Sequence, residues 1–276
     1  MSLFKKIAII GTGLIGGSLA LVIKKKNLAQ RVVGFSRRKE TITRALKAGI
    51  IDEGSQSLNI IKGADFVILA TPVDVILDLA PKIAKIIGNE AIVTDVGSTK
   101  EKIVLKLDKV FKNFIGSHPL AGSEKRGVAN ARPEIFQDSL CILTPTKKSK
   151  GAIVGKLKKF WKSTGARTVT LSPDKHDQVL GFVSHLPHAV AFSLMGSVPK
   201  EHLKFAASGL RDSTRIAGSD AEVWSEIFLS NQKNLLKSIE DFEKNILKFK
   251  SALKRRDKKA LNLILAQAKK KREILK

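Results

Sequence analysis

Three short segments of this chain hold most of the side chains that could do chemistry: 116–122 (GSHPLAG), 184–188 (SHLPH) and 209–215 (GLRDSTR). Histidine is scarce, with five in 276 residues. Four of the five lie in or beside these segments: His118, His176, His185 and His188. Imidazole titrates near neutral pH and guanidinium binds carboxylates, so the pattern predicts a site that moves protons and binds anions, with no metal.

His118 is the candidate general base. It follows a predicted strand and precedes Pro119, so it could merely cap a turn. At the carboxyl end of a parallel sheet the catalytic interpretation is favoured. A base must be neutral, and a nearby cation such as Arg215 would favour the neutral imidazole. Arg215 itself would bind a carboxylate through both nitrogens of its fork. His185 is either an interior histidine or a site residue.

A glycine-rich turn follows the first predicted strand. Its sequence is Gly11-Thr12-Gly13-Leu14-Ile15-Gly16, and a helical run follows. In that context Gly11 permits the turn, Gly13 lets a pyrophosphate approach the backbone, and Gly16 lets helix and strand pack closely. Leu14 and Ile15 open a helix whose free N–H groups would face the phosphates. We therefore predict a dinucleotide site.

The end of the second predicted strand indicates which dinucleotide. Ser36 stands where an NAD site usually has an acid, and Arg37 and Arg38 follow it. These residues would bind a 2′-phosphate, so we predict NADP as the cofactor, with NAD possible if the arginines only begin an exposed helix.

Short β-branched runs alternate with helical stretches up to about residue 171. This alternation predicts an α/β fold with a doubly wound, mostly parallel Rossmann-type sheet, residues 1–171 forming the dinucleotide-binding domain. The predicted strands are Lys6–Ile10, Arg31–Phe35, Phe66–Leu69, Ala91–Asp95, Phe114–Gly116, Leu140–Leu143 and Thr168–Leu171.

Residues 172–276 show no convincing strand and are predicted to form an all-helical substrate and dimerisation domain. Trp224 and Phe228, one helical turn apart, are predicted to belong to its core. Apolar residues recur at spacings of three and four between Leu235 and Leu253, which places one apolar stripe on a long helix. A second subunit could cover part of that stripe, so we expect a homodimer.

The chain is basic, with 50 Lys and Arg against 25 Asp and Glu, a formal net charge of +25. The excess is dispersed without interleaved aromatic residues, so we expect a solvated basic surface and no nucleic-acid partner. The lone cysteine, Cys141, lies in an apolar run and is expected to be buried. We expect a cytoplasmic protein with no membrane partner and a small-molecule substrate that carries carboxylates.

Taken together, the motifs resemble those of the prephenate/arogenate dehydrogenases, oxidoreductases of tyrosine biosynthesis. The resemblance covers nearly the whole chain. It rests on the glycine turn, on segments 116–122 (with Glu124 after it) and 184–188, on Ala70-Thr71-Pro72, on Thr94–Lys100 (TDVGSTK), on Ser172–Asp177 (SPDKHD), and on Thr214–Ala217 (TRIA) with Ser219, Asp220 and Trp224.

The resemblance implies the following roles. His118 would accept a hydrogen bond from the substrate hydroxyl, and Ser98 would position His118 or that hydroxyl. Arg215 would bind a substrate carboxylate. Ala70, Thr71 and Pro72 would shape the nicotinamide side. The pocket would also be lined by His176, His188 and Glu124.

The leading hypothesis is NAD(P)-dependent oxidative decarboxylation of prephenate to 4-hydroxyphenylpyruvate, and the alternative substrate is arogenate. His188, rather than an acid, occupies one position that could face the ammonium of arogenate, which favours prephenate. In the family that the motifs resemble, use of NADP often accompanies arogenate, so the predicted cofactor favours arogenate. A hypothesis of another class is a non-catalytic dinucleotide sensor or basic nucleic-acid-binding protein.

Overall fold

A computed structural model describes residues 2–122 and 127–275. Strands β1 to β5 form a parallel sheet in the order β3-β2-β1-β4-β5, and β6 to β8 form a second sheet. An isolated parallel bridge between Val93 and Phe114 links the two. The strands are β1 (Phe4–Ile10), β2 (Ala29–Phe35), β3 (Glu53–Ser55), β4 (Phe66–Leu69), β5 (Ile92–Asp95), β6 (Gly116–Pro119), β7 (Leu140–Thr144) and β8 (Arg167–Thr170).

Helices cover both faces of the first sheet. Because side chains alternate along a strand, Ile7 and Ile9 pack in one core while Ala8 and Ile10 pack in another on the opposite face. The helices of this half are α1 (Leu14–Lys25), α2 (Lys39–Lys47), α3 (Val73–Ala84), α4 (Glu101–Val110) and α5 (Gly151–Thr164). The predicted doubly wound domain is thereby confirmed.

The strand predictions were wrong in two places. Strand β3 was missed, because a three-residue edge strand with sequence Glu-Gly-Ser carries no apolar pattern. The strand expected at Phe114–Gly116 begins at Gly116, so His118 lies within β6 instead of following a strand. Strand β6 also runs antiparallel to β7, whereas β7 and β8 are parallel. Cys141 is buried in β7, and burial raises the pKa of its thiol well above the usual value.

From Pro173 onward the described chain is helical. A π-helical turn, Gly181–His185, joins the first two of these helices into one continuous segment. The helices are α6 (Pro173–Leu180), α7 (Leu186–Ser197), α8 (Ser208–Thr214), α9 (Ala221–Ser230), α10 (Gln232–Lys254) and α11 (Lys258–Arg272). By length and composition alone the segment Pro173–Ser197 could cross a membrane, with 22% of its apolar window buried.

The apolar stripe predicted between Leu235 and Leu253 lies on α10, as expected. Leu235 is buried near the start of the helix, but Ile246 and Leu253 are about half exposed. Helix α11 packs against α10 and leaves these apolar side chains partly uncovered.

Candidate active site

The glycine turn after β1 forms a narrow cradle. Gly11 has φ +97°, and a Cβ there would lie 2.6 Å from the carbonyl oxygen of Ala70. A Cβ on Gly16 would lie 2.0 Å from the carbonyl oxygen of Gly11. By contrast, a Cβ on Gly13 would meet no atom within 4 Å. Gly11 and Gly16 are therefore required by packing, whereas Gly13 borders open space at the start of α1.

Two buried hydroxyls beside this turn have no hydrogen-bond partner among the described residues: Thr12 Oγ1 and Thr71 Oγ1. Buried polar groups are nearly always hydrogen-bonded, so such a pair suggests a ligand or ordered water. The first N–H groups of α1 are also free for an anion, since Gly13 offers no side-chain cap. Leu14 and Ile15 are partly buried in that first turn. The turn thus fits the pyrophosphate of a dinucleotide.

At the end of β2, Ser36 Oγ accepts a hydrogen bond from Arg38 N (3.2 Å), and Gln56 Nε2 donates to the Arg37 carbonyl (2.8 Å). Arg37 and Arg38 are exposed, and within the described ranges neither forms an ion pair. This rim therefore presents two guanidinium groups. Across the cradle, Ala70 and Thr71 are partly buried between β4 and α3, and Pro72 is exposed.

His118 is fixed in β6 by its neighbours. Its backbone is paired with Ile142 of β7, and its side chain is 8% exposed. The preceding residue, Ser117, is hydrogen-bonded through Oγ to Thr94 Oγ1 (2.7 Å) and to the indole N–H of Trp161 (3.1 Å). Strand pairing and this buried hydroxyl network hold the imidazole at a defined position.

A chain of hydrogen bonds runs from His118 into the helical domain. His118 Nδ1 lies 2.8 Å from His176 Nε2, and His176 Nδ1 lies 2.7 Å from Asp177 Oδ1. A carboxylate only accepts, so His176 carries its proton on Nδ1 and its Nε2 is an acceptor. His118 therefore donates from Nδ1, and its Nε2 carries a lone pair that meets no hydrogen-bond donor among residues 2–122 and 127–275.

Both histidines are neutral at pH 7. Burial, followed by the charges of His176, Lys100 and His185, holds the pKa of His118 well below 6.5. Burial also lowers the pKa of His176, although Asp177 opposes the shift. A neutral His118 with a bare Nε2 has the form that a general base requires.

Asp177 connects the two domains. Its Oδ1 accepts from the backbone N–H of Lys100 (2.7 Å), and its Oδ2 accepts from that of Glu101 (2.9 Å). These N–H groups begin α4, where the helix dipole favours an anion. The completely buried Lys100 side chain forms an ion pair with Asp95 and donates to the Thr99 carbonyl (2.9 Å). This ion pair fixes the turn that carries Ser98.

The π-helical turn directs two histidines to different places. Such turns are frequent at functional sites because they re-aim side chains within a helix. His185 is buried, and its Nδ1 lies 3.0 Å from Asn231 Nδ2, which also donates to the Asp177 carbonyl (2.7 Å). Burial lowers the pKa of His185 to about 4. His185 therefore occupies an interior position, as one of the two sequence interpretations had it.

His188, further along the same helical segment, is less buried than His185. Its Nδ1 donates to the Ser184 carbonyl (3.0 Å), which leaves Nε2 as an acceptor. Its ring stacks on Trp224, with ring centroids 3.4 Å apart. Burial lowers the pKa of His188, and the nearby charge of Arg215 lowers it further. Arg215 is exposed directly after α8. The structure thus brings His188, Trp224 and Arg215 together.

Comparison with known proteins identifies this arrangement. Residues 19–170 match the family model described as "Prephenate dehydrogenase, nucleotide-binding domain", and residues 172–267 match "Prephenate dehydrogenase, dimerization domain". The chain belongs to the prephenate dehydrogenase family. It is accordingly an oxidoreductase with a nucleotide-binding domain and a helical dimerisation domain, and its cofactor is a nicotinamide dinucleotide.

Individual relatives agree with this assignment. The prephenate dehydrogenase of Bacillus subtilis is 40% identical over 91% of this chain and 71% of its own length. A crystal structure of prephenate dehydrogenase from A. aeolicus with hydroxyphenyl propionate and NAD+ is 37% identical, covers 99% of this chain and 98% of its own, and has a TM-score of 0.93. Synechocystis arogenate dehydrogenase is 29% identical, with a TM-score of 0.86 over 98% of this chain and 100% of its own.

Two predictions about single residues of the site, for His176 and Trp224, differ from the structure. His176 was expected to line the pocket, but its side chain is completely buried behind His118. Ser98 is partly exposed in the turn before α4. Glu124 lies outside the described residues. Trp224 was predicted to belong to the core, whereas it is half-buried and stacked on His188. Because the two residues are distant in sequence, only the fold shows that they are neighbours.

Proposed function

We propose that this member of the prephenate dehydrogenase family oxidises prephenate with loss of CO2 and forms 4-hydroxyphenylpyruvate. The observation that carries the proposal is the 2.8 Å contact of His118 Nδ1 with His176 Nε2. This contact leaves Nε2 of a neutral His118 unprotonated and, among the described residues, without a hydrogen-bond partner. That atom is a proton acceptor at the carboxyl end of the sheet, where a dinucleotide in the glycine cradle would reach.

In the proposed reaction His118 Nε2 accepts the proton of the substrate's ring hydroxyl, while a hydride leaves the ring carbon that bears this hydroxyl. Bound nicotinamide supplies the hydride acceptor. The ring carboxylate then departs as CO2, and the electron pair that it leaves makes the ring aromatic. The phenolate oxygen takes the proton back from His118. The balance is one hydride transferred and one CO2 released, with no net proton lost.

Substrate binding would depend on the cluster of His188, Trp224 and Arg215. Arg215 would pair with a substrate carboxylate through its fork, and the neutral His188 next to it adds an acceptor without a competing positive charge. Ser98, on the turn fixed by Lys100 and Asp95, would position the hydroxyl group or His118. Glu124 stays a candidate from sequence alone.

We further propose prephenate over arogenate and NADP over NAD. A histidine at position 188 gives the ammonium of arogenate no carboxylate to pair with. Ser36, Arg37 and Arg38 form a rim suited to a 2′-phosphate, because an acid that would repel it is missing from these positions. The A. aeolicus relative was crystallised with NAD+, so the cofactor choice has to be measured on this chain.

The matched dimerisation domain supports a homodimer, and we propose that the partly exposed stripe on α10 contributes to its interface. We also propose a cytoplasmic location.

The test is a set of initial rates with prephenate or arogenate and with NAD or NADP, following nicotinamide reduction at 340 nm. The proposal expects the highest kcat/KM for prephenate with NADP. Faster turnover of arogenate would change the substrate assignment, and faster turnover with NAD would change the cofactor assignment. Absence of turnover in all four reactions, from folded protein that binds dinucleotide, would overturn the enzymatic function.

A further inference from the structure

We infer that His176 and Asp177 are positioning residues: from the helical domain, they hold His118 of the nucleotide-binding domain with its proton on Nδ1. The inference rests on the proposed function, in which His118 accepts a proton at Nε2. It adds that the base becomes competent through contacts supplied by the other domain.

The directions of the hydrogen bonds from His118 to Asp177 follow from the Asp177 carboxylate, which can only accept. Asp177 receives three donors: the backbone N–H groups of Lys100 and Glu101, and Nδ1 of His176. Both N–H groups belong to the start of α4 and cannot reverse their direction. The carboxylate therefore stays an acceptor, which fixes the proton of His176 on Nδ1 and the proton of His118 on Nδ1.

The two partners lie in different domains. His118 belongs to β6, whereas His176 and Asp177 belong to α6. The contacts of Asp177 with α4 are also the contacts that dock α6 on the nucleotide-binding domain. Asn231 of the helical domain adds a bond to the Asp177 carbonyl (2.7 Å). Correct docking and the correct tautomer of His118 therefore depend on the same carboxylate.

Without the hydrogen bond to His176, nothing fixes the proton of the His118 imidazole on Nδ1. A buried His118 that lost its acceptor would place the proton on whichever nitrogen finds a partner, and a proton on Nε2 blocks the lone pair that meets the substrate hydroxyl. In Ser-His-Asp hydrolases a wrong histidine tautomer costs about 10⁴ in kcat. Here we expect a smaller loss in kcat, on the order of a hundredfold.

The test compares His176→Leu, which removes the acceptor, with His176→Gln, whose amide oxygen can accept from His118 Nδ1. Ser230→Ala is the matched control, because Ser230 Oγ also crosses between the domains, to Thr99 Oγ1 (3.1 Å), but touches neither histidine. Thermal unfolding and dinucleotide Kd establish that each variant is folded and loaded. Nitrogen-15 NMR of the His118 ring reports its tautomer, and steady-state rates report kcat and KM.

The inference expects wild type, Ser230→Ala and His176→Gln to show a protonated Nδ1 and a bare Nε2. His176→Leu should lose about a hundredfold in kcat with unchanged dinucleotide Kd and should lose the Nδ1 signature. A His118 tautomer that is the same in His176→Leu as in wild type would overturn the inference. So would full activity of that variant. If wild type itself lacks turnover, the proposed function fails, while the NMR comparison still decides whether His176 sets the tautomer.

Asp177→Asn provides a second variant if His176→Leu does not fold. Asparagine cannot accept from both backbone N–H groups and His176 at once, so one of these contacts must break. We expect weaker coupling between His176 and His118 in the NMR spectra and a lower kcat. Wild-type spectra together with wild-type kcat would contradict the role of Asp177.

Discussion

The imidazole of His188 lies against the indole of Trp224, with ring centroids 3.4 Å apart and 19° between the ring planes. Stacking fixes the ring, and the bond from Nδ1 to the Ser184 carbonyl fixes its rotation. Arg215 is near enough for its charge to lower the pKa of His188. One cluster therefore holds a permanent cation, which can pair with a substrate carboxylate, and a neutral Nε2, which can accept a hydrogen bond from a donor such as a hydroxyl group.

Replacing Arg215 with lysine should raise KM for the substrate about tenfold, corresponding to roughly 1.4 kcal/mol of binding, with a smaller change in kcat. Lysine keeps the charge but loses the two-point contact with a carboxylate. Arg255→Lys, at the exposed end of α10, is the control and should leave KM unchanged. An unaltered KM in Arg215→Lys would remove Arg215 from the substrate site.

Two glycines of the cradle should respond differently to substitution. Gly13→Val adds atoms where no neighbour lies within 4 Å, so the thermal midpoint should hold while the dinucleotide Kd rises about tenfold or more. Gly16→Ala instead places a Cβ against the Gly11 carbonyl and should lower the thermal midpoint. Calorimetric titration and thermal unfolding separate the two effects. Normal dinucleotide affinity in Gly13→Val would mean that the cofactor does not approach there.

Changing Ser36 to aspartate should reverse the cofactor preference. The new carboxylate would repel a 2′-phosphate and accept hydrogen bonds from the two ribose hydroxyls of NAD. We expect the ratio of kcat/KM for NADP to that for NAD to fall at least tenfold, about 1.4 kcal/mol. Ser163→Asp, on α5, is the control for added charge alone. An equal ratio in Ser36→Asp and wild type would show that this rim does not read the 2′-phosphate.

Stability should fall on the acid side of neutrality. In the folded protein the pKa values of His118, His176 and His185 lie below 6.5, whereas in the unfolded chain they return to about 6.5. Between the folded and unfolded pKa values the unfolded state therefore binds more protons. The contribution of these histidines to the free energy of unfolding is at its maximum above pH 6.5 and decreases as pH falls towards 4.

The shift of His185 to about 4 corresponds to roughly 3 kcal/mol of this loss. Urea unfolding at half-unit pH steps measures the effect, and His185→Gln should flatten the slope. The exposed His202, replaced in the same way, is the control. A free energy of unfolding that is constant from pH 7 to pH 4.5 would contradict neutral burial of these histidines.

The dinucleotide cradle could be predicted from the sequence because its determinants are local: a strand, a turn and a helix that follow one another between Phe4 and Lys25, with Gly11 and Gly16 at positions that packing dictates. The chain from His118 to Asp177 could not. His118 is 58 positions from His176 and lies in the other domain, so no spacing rule joins it to the adjacent pair His176 and Asp177. Buried His176 therefore looked like a pocket residue, and Trp224 looked like core.

The antiparallel course of β6 was missed for a related reason. Strand direction is set by how the chain returns to the sheet, and a four-residue strand with sequence Gly-Ser-His-Pro carries no pattern that reports it. Around Arg215, likewise, the stacking of His188 on Trp224 joins residues that are distant in sequence. The turn that carries Ser98 differs, because the buried pair of Lys100 with Asp95 that spans it is local.

The central claim is that His118 is the proton acceptor in an oxidative decarboxylation. The direct test measures nicotinamide reduction and CO2 release together in wild type and in His118→Asn, with dinucleotide Kd measured for both. We expect equal amounts of the two products from wild type, and a loss of roughly 10²–10⁴ in kcat with unchanged Kd for the variant. Wild-type turnover by His118→Asn would contradict the account.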